Sequence, residues 1–147
     1  MEQVKFTVHG KPFAKQRPRV VNRGGYAKAY TPKETVNYEN FVRFSYLQEC
    51  GNKKLDGGIE AEIIGVFPIV KSESKKRRLL MMDGLVPHTK KCDCDNLAKS
   101  ILDSLNGIAY DDDSQVCRLI VEKIYGENPR VEVKLKEVQS CKRESEI

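Results

Sequence analysis

The sequence lacks any apolar run long enough to cross a bilayer. No stretch approaches the ~20 residues that a membrane-spanning helix needs. Its first residues, MEQVKFTVHGK, also lack the basic and then apolar layout of a secretory signal. We therefore expect a cytoplasmic protein with no membrane partner.

The cysteines lack the even number and regular spacing of a disulfide framework. There are five, and they are scattered over Cys50, Cys92, Cys94, Cys117 and Cys141. Cys92 and Cys94 could form part of a zinc site with His88, but the sequence offers no evident fourth ligand. Packed thiols are the simpler interpretation.

Internal repeats and linkers are also missing, so 147 residues predict one compact domain. Hydrophobic residues make up 39% of the chain and charged residues 32%. This balance is ordinary for a globular protein and argues against disorder.

Charge is distributed unevenly along the chain. Residues 1–33 contain eight Lys or Arg and one acid, and residues 71–91 contain seven Lys or Arg and two acids. Residues 93–113 have the opposite sign, with six Asp and one Lys. Basic surface binds phosphate and carboxylates bind cations, so this pattern suits a metal site facing a polyanion. The alternative is a basic protein with one solvated acidic loop.

Hydrophobic periodicity predicts an α+β fold. Strands are expected over 4–8 and from Ile59 onward, with an irregular loop over 10–25 and a helix from about 31 to Gly51. A short basic helix follows, capped by Ser72 or Ser74 and ended by Gly84.

The second half of the chain is predicted to contain a helix from about 96 to 106 and two strands, 115–125 and 130–138. The turn GENP between these strands favours an antiparallel hairpin. We thus expect a single domain with a mixed sheet of about four strands and three flanking helices. Residues 139–147 form a polar tail.

Asp93 and Asp95 lie two residues apart just before a predicted helix. In an extended segment this spacing puts both carboxylates on one side, and Lys99 follows Asp95 by one helical turn. Three more acids, Asp111 to Asp113, follow the same helix. Carboxylates of this kind bind Mg²⁺, which can activate water for phosphodiester cleavage. Helix capping and solvation of the loop are the alternative explanation.

The stretch CDCDNLAKSILDSLNGIAYDDDSQV resembles the signature of the RusA family, the Holliday junction resolvases of bacteria and their prophages. That signature reads approximately PDxDNLxKxxxDxLNG, followed shortly by DDxQ. The segments GKPFAKQRPR, AYTPKE and KSESKKRR are similar to other parts of the family pattern, so residues 1–138 would form a RusA-like domain. Cys92 stands where Pro is common in the family.

The resemblance implies a homodimeric, Mg²⁺-dependent endonuclease that takes no nucleotide cofactor. It would bind four-way DNA junctions and nick two strands symmetrically during DNA recombination and repair. Asp93, Asp95 and Asp113 would hold the metal, and Lys99 would stabilise phosphate charge or orient the water. The triple Asp leaves the register open between Asp112 and Asp113; the neighbouring Ser114-Gln115 favours Asp113.

Two basic groups are candidate DNA contacts, although a solvated basic face would look the same in sequence. They are Lys15, Arg17 and Arg19, and Lys75, Lys76, Arg77 and Arg78. Two other functions remain open: a nuclease for other branched or flapped DNA, and a non-catalytic DNA-binding protein.

Overall fold

The computed structural model describes residues 2–15, 19–30 and 32–139, and for part of 19–30 it describes the backbone alone. The described residues form six strands and three helices. These are β1 (Gln3–His9), β2 (Arg19–Arg23), β3 (Tyr26–Tyr30), α1 (Lys33–Cys50), β4 (Ile59–Phe67), α2 (Lys75–Met82), α3 (Cys94–Leu102), β5 (Val116–Tyr125) and β6 (Arg130–Glu137). None of the described helices is both long and apolar enough to span a membrane.

Four strands form a mixed sheet in the order β1-β6-β4-β5. β6 pairs antiparallel with both β1 and β4, whereas β4 and β5 run parallel. The α+β fold, with about four strands and three helices, is thus confirmed.

The core lies between this sheet and the helices α1 and α3. Alternate residues of β4 and β6 are fully buried, because side chains on a strand point in turn to opposite faces. α1 contributes Val42 and Tyr46 and α3 contributes Leu97 and Ile101, all without measurable exposure. Gly65 of β4 lies directly beneath α3: a Cβ atom there would be 2.8 Å from Leu97 Cδ2. α3 therefore packs very closely against the sheet.

The predicted hairpin of β5 and β6 is wrong. β4 lies between these two strands and pairs with both. The residues of β4 from Gly65 to Phe67 are buried, which suits a central strand. The connection 126–129 can span two strand spacings, about 10 Å, because four residues reach ~13 Å. A turn motif alone does not reveal that a third strand separates its neighbours.

The irregular loop predicted over 10–25 is also partly wrong, because β2 and β3 form an antiparallel hairpin. Its turn contains Gly24 and Gly25 with φ of 58° and 84°. Positive φ at both central positions suits a tight hairpin turn, and the Gly-Gly pair was the signal for it in the sequence.

Two helix boundaries differ from expectation. α1 begins at Lys33 with Pro32 at its N-cap. α3 begins at Cys94 rather than near Asn96, and it ends at Leu102 before a 3₁₀ turn over Asp103–Leu105. The Ser74 cap of α2 is confirmed, since its hydroxyl accepts a hydrogen bond from the Arg77 N–H at 3.2 Å.

The connection between β4 and β5 carries α2, α3 and both acidic segments. Parallel neighbours need such a crossover, because a tight turn can join only antiparallel strands. Residues 68–115 therefore form a single excursion that leaves the sheet after β4 and returns to it at β5.

Candidate active site

The N-terminal end of α3 positions the first two candidate ligands. Asp93 is the N-cap residue, with extended backbone dihedrals, and its carbonyl accepts the first helical hydrogen bond from Leu97 at 2.9 Å. Asp95 lies in the first helical turn, not in an extended segment as expected. Both side chains are exposed. The positive end of the helix dipole favours negative charge at this position.

Lys99 is exposed on α3 one turn after Asp95. This spacing places the ammonium group on the same side of the helix as the Asp95 carboxylate. The helix thereby presents a carboxylate and an ammonium group together on its solvent-exposed side.

The loop after α3 is held against that helix by Tyr110, a fully buried side chain whose hydroxyl donates to the Leu102 carbonyl at 2.5 Å. The backbone N–H of Gly107 donates to the Tyr110 carbonyl at 2.8 Å. Asn106 then accepts a hydrogen bond from the Asp113 N–H, also at 2.8 Å. These contacts direct Asp113 back toward the C-terminal end of α3.

The three consecutive aspartates have different surroundings. Asp111 is mostly exposed and forms an ion pair with Lys54 at 2.5 Å. Asp112 caps the next 3₁₀ turn, where its carboxylate accepts from the Ser114 N–H at 3.1 Å. Hydrogen bonds from the Ser114 hydroxyl and then from its backbone N–H hold the pKa of Asp112 below its ordinary value. Asp111 and Asp112 are thus engaged in local contacts.

Asp113 is the least exposed of the three, and its carboxyl group lies close to that of Asp103. Burial raises the pKa of Asp113, and the hydrogen bond and charge of Asp103 raise it further. Two adjacent carboxyl groups cannot both ionise at low cost. A cation at this position would relieve that repulsion.

Asp103 is a site residue that sequence analysis missed. Its carboxylate accepts from Lys15 Nζ at 2.7 Å, and the same ammonium lies 3.4 Å from Glu39 of α1. Burial would lower the pKa of Lys15, but the hydrogen bonds and charges of Asp103 and Glu39 raise it. The position of Asp103 in the motif was visible in sequence, whereas its contact with Asp113 depends on the fold.

The acidic side chains fall into two groups at opposite ends of α3. Eight residues separate Asp95 from Asp103, about 12 Å along a helix axis. Across the described ranges, no three His, Cys, Asp or Glu side chains converge closely enough to hold one metal ion. The structure therefore brings Asp113 to Asp103, and it leaves Asp93 and Asp95 at the other end.

The donor set nevertheless fits magnesium. All the candidate ligands are carboxylates, and Mg²⁺ prefers oxygen. It is usually bound by one or two carboxylates together with water and substrate phosphate, rather than by a complete protein cage. Two separate acidic groups, each with two carboxylates, are compatible with this mode of binding.

The candidate DNA contacts differ in their availability. Lys75 and Lys76 are exposed on α2. Arg77 is exposed but pairs with Glu73 at 3.2 Å, and Arg78 donates to the Val70 carbonyl at 3.0 Å. Lys15 is held between two carboxylates. Arg17 lies outside the described residues, and of Arg19 only the backbone, in β2, is described.

Lys123 is a basic residue near the site that the sequence gave no reason to select. It lies on β5, and its ammonium donates to the Lys90 carbonyl at 2.8 Å. This contact fixes the segment that leads into Asp93. The parallel pairing of β4 and β5 places Lys123 opposite Gly65 of β4, a position that the sequence alone does not reveal.

His88 and Cys92 have packing roles in the described structure. The His88 ring stacks on Phe67 at a centroid distance of 4.1 Å and lies 4.8 Å from Tyr125. Burial lowers the pKa of His88, and the charge of Lys123 lowers it further. Cys92 is buried in the core and Cys94 is exposed. Of the described cysteines, Cys92 and the half-buried Cys50 pack with the core, whereas Cys94 and Cys117 are exposed and are not packed thiols.

Comparison with known proteins agrees with the signature around α3. A family model described as endodeoxyribonuclease RusA matches residues 9–136. The chain is also 37% identical over 142 residues to an uncharacterized protein, YqaN, of Bacillus subtilis (strain 168), covering 95% of this chain and 100% of that protein. The match spans the strands, the helices and both acidic segments, and the chain therefore belongs to the RusA endodeoxyribonuclease family.

Proposed function

We propose that this protein is a Mg²⁺-dependent endonuclease that resolves four-way DNA junctions by paired nicks. It acts in the cytoplasm as a homodimer, in DNA recombination and repair. The observation that carries the proposal is the family match over residues 9–136, which includes every acidic residue of the candidate site. A two-fold symmetric dimer would match the two equivalent strands of a junction.

In this proposal Asp93 and Asp95 at one end of α3 and Asp113 at the other would each contribute to Mg²⁺ binding, with water and substrate phosphate completing the coordination. Bound Mg²⁺ supplies an electrophile for the phosphoryl oxygen and an activated water. Lys99 donates hydrogen bonds to the phosphoryl oxygens, where negative charge grows during cleavage. The exposed ammonium groups of Lys75 and Lys76 bind the DNA backbone. The Asn106 side-chain oxygen accepts a hydrogen bond from the Asp113 backbone N–H and so keeps Asp113 in place.

The proposal is tested with synthetic four-way junctions in which each strand is labelled in turn. Duplex, flap and single-stranded DNA serve as comparison substrates, with and without Mg²⁺. We expect metal-dependent nicks at symmetry-related positions on two opposing strands of the junction. Equal cleavage of flaps would instead indicate a nuclease for other branched DNA, and binding without cleavage would indicate a non-catalytic DNA-binding protein.

Asp113→Asn should reduce junction cleavage by about 100-fold or more, the scale of losing one electrostatic contributor to catalysis. Junction binding should persist, because the substitution removes negative charge near phosphate and leaves the basic surface unchanged. Asp111→Asn is the matched control: this exposed residue pairs with Lys54 away from Asp103. A larger defect in Asp111→Asn than in Asp113→Asn would contradict the assigned ligand.

A further inference from the structure

Lys15 contacts α3 at both ends. Its backbone N–H donates to the Asn96 carbonyl at 3.4 Å, and its ammonium group donates to the Asp103 carboxylate at 2.7 Å. Asn96 and Asp103 are seven residues apart, which is about two helical turns, so they lie on the same side of the helix. The Asn96 N–H in turn donates to the Asp95 carboxylate at 2.9 Å. One residue of the N-terminal segment is therefore connected to both acidic groups of the candidate site.

The segment that carries Lys15 is packed against the domain. Pro12 is buried, and the Phe13 ring lies against the Tyr38 ring of α1 at a centroid distance of 5.1 Å. Glu39, the next residue of α1, lies 3.4 Å from the Lys15 ammonium group. Only 26% of the Lys15 side chain is exposed in this position. Lys15 is thus held between α1 and α3.

These contacts favour a role inside the protein over the DNA contact that was expected from the sequence. A phosphate would have to displace Glu39 and Asp103 to reach the ammonium group, and these two side chains are themselves only 17% and 28% exposed. Their negative charges would also repel a phosphate. Lys75 and Lys76 of α2, in contrast, are open to solvent.

Lys15 lies within a row of carboxyl groups. Its ammonium group separates Glu39 from Asp103, and Asp103 lies close to Asp113. Neighbouring carboxylates repel one another, and a cation between them offsets the repulsion. Mg²⁺ is often bound by one or two carboxylates, so Glu39 and Asp103 without the ammonium group would compete with Asp113 for the ion.

We propose that Lys15 is a positioning residue for DNA cleavage. It occupies the Asp103 carboxylate in place of a metal ion, so that the Mg²⁺ of the proposed function binds at Asp113 and not between Asp103 and Glu39. Lys15 itself touches neither the DNA nor the metal. The inference deepens the proposed function and rests on it for the cleavage step, whereas the contacts of Lys15 with α1 and α3 are independent of it.

Titration of the metal-free protein with Mn²⁺, without DNA, tests the effect of Lys15 on metal binding. Lys15→Met removes the ammonium group and keeps a long side chain. Mn²⁺ should then bind roughly 10-fold tighter or more, because a positive charge a few ångströms away no longer opposes the ion. Free Mn²⁺ is measured by electron paramagnetic resonance. Unchanged or weaker binding in Lys15→Met would overturn the proposal.

Lys53→Met is the matched control for this titration. It also removes one lysine from an ion pair, but its partner is Glu2, outside the candidate site. The change in net charge is the same, so a general effect of charge on Mn²⁺ affinity would be seen equally in both variants. We expect Lys53→Met to bind Mn²⁺ and to cleave junctions as wild type does. A gain in Mn²⁺ affinity equal to that of Lys15→Met would overturn the proposal.

Cleavage of a four-way junction tests the effect of Lys15 on the reaction. Single-turnover rates at saturating Mg²⁺ should fall about 10- to 100-fold in Lys15→Met, the scale of misplacing a reacting group by about 1 Å. Junction affinity and its dependence on salt should stay unchanged, because Lys15 makes no phosphate contact. A loss of stability alone would not produce tighter metal binding together with slower cleavage.

Two further variants show whether Lys15 acts through Asp103. Lys15→Arg keeps a cation that can donate to Asp103, and it should restore most of the wild-type rate. Asp103→Asn removes the carboxylate that Lys15 holds, so the addition of Lys15→Met to Asp103→Asn should lower the rate no further. A double variant that shows the product of both single losses would mean that Lys15 acts independently of Asp103, and the proposal would be wrong.

The remaining outcomes separate this proposal from the proposed function. Circular dichroism shows whether each variant is folded; if Lys15→Met is not, Lys15→Gln, which is neutral and can still donate to Asp103, replaces it in both measurements. Wild-type cleavage by the Lys15 variant would overturn the positioning role and leave the function intact. A salt slope reduced by about 0.9 would make Lys15 a phosphate contact and also overturn that role. A wild type that never cuts junctions overturns the function, and the Mn²⁺ titration then decides whether Lys15 keeps the ion from Asp103.

Discussion

At the scale of single residues, chemical identity did not determine environment. Asp111, Asp112 and Asp113 are identical in sequence, yet one pairs with Lys54, one caps a turn and one faces Asp103. The sequence could supply the candidates, because their type and spacing are local properties. The sequence could not distinguish the roles of the three aspartates, because two of their contacts are with distant residues. Lys54 lies in the loop before β4, and Asp103 lies just after α3.

Asp113→Asn is expected to stabilise the metal-free protein near neutral pH. Burial and then Asp103 raise the pKa of Asp113 above its ordinary 3.8, so the native state binds this proton more tightly than the unfolded chain. The resulting stability is present below pH 3.8 and is lost as pH rises through the native pKa. Asn removes this loss, so thermal melts in EDTA at neutral pH should show a Tm higher by a few degrees.

The gain from Asp113→Asn should disappear in acid, where wild-type Asp113 is protonated. Asp111→Asn provides the comparison, since it removes an ion pair rather than a repulsion and should not raise the Tm. A lower Tm for Asp113→Asn than for wild type at neutral pH would show that the carboxylate is stabilising in the fold.

Lys99→Ala should lower the turnover of junction cleavage by about 100-fold while changing junction affinity little. The reason is that its proposed partner is charge that develops in the transition state. Single-turnover rates and equilibrium binding measure the two effects separately. Lys75→Ala, on α2, should show the reverse pattern, and equal losses of rate and affinity in Lys99→Ala would make that residue an ordinary phosphate contact.

At the scale of secondary structure, periodicity located most helices and strands but not their neighbours. The alternation in β1 and the apolar run in β4 are local signals, and both strands lie where they were expected. The order β1-β6-β4-β5 depends on contacts between distant segments, which explains the wrong hairpin of β5 and β6. α3 begins two residues earlier than predicted, so the backbone at Asp95 is helical rather than extended.

Gly65→Ala should destabilise the protein by ~1–3 kcal/mol, the usual cost of overpacking. The new methyl group would lie 2.8 Å from Leu97 Cδ2 and 3.0 Å from Phe67 Cε2. Denaturant unfolding measures the loss, and cleavage should fall as well because α3 is displaced. Leu97→Val in the same chain should restore part of the stability, so a strictly additive double-mutant cycle would contradict the contact.

At the scale of the whole molecule, charge segregation was readable from sequence, but the availability of each charge was not. Among the described candidates, Lys75 and Lys76 remain open to solvent, whereas Lys15 and Arg78 are engaged inside the protein. The count of basic residues in a segment therefore overstates the number that can reach DNA.

Lys76→Ala should weaken binding to every DNA form and reduce the slope of log affinity against log salt by about 0.9, the value for one phosphate contact. Arg78→Ala is the control, because its guanidinium is already bound to the Val70 carbonyl. Fluorescence anisotropy over a series of salt concentrations measures both slopes. An unchanged slope for Lys76→Ala would remove α2 from the interface.

The crossover between β4 and β5 has a consequence for how the protein folds. Every residue proposed to hold the metal or to contact the cleaved phosphate lies within residues 68–115. This segment leaves the sheet at the end of β4 and returns to the opposite end of the neighbouring parallel strand β5. Closing this long loop costs entropy before the parallel strands can pair, so β5, and β6 after it in the chain, are expected to dock late. Because Lys123 of β5 holds the segment before Asp93, the acidic surface would be completed only in that final step. A chain interrupted before this step would therefore have its helices but neither the complete sheet nor a working nuclease site.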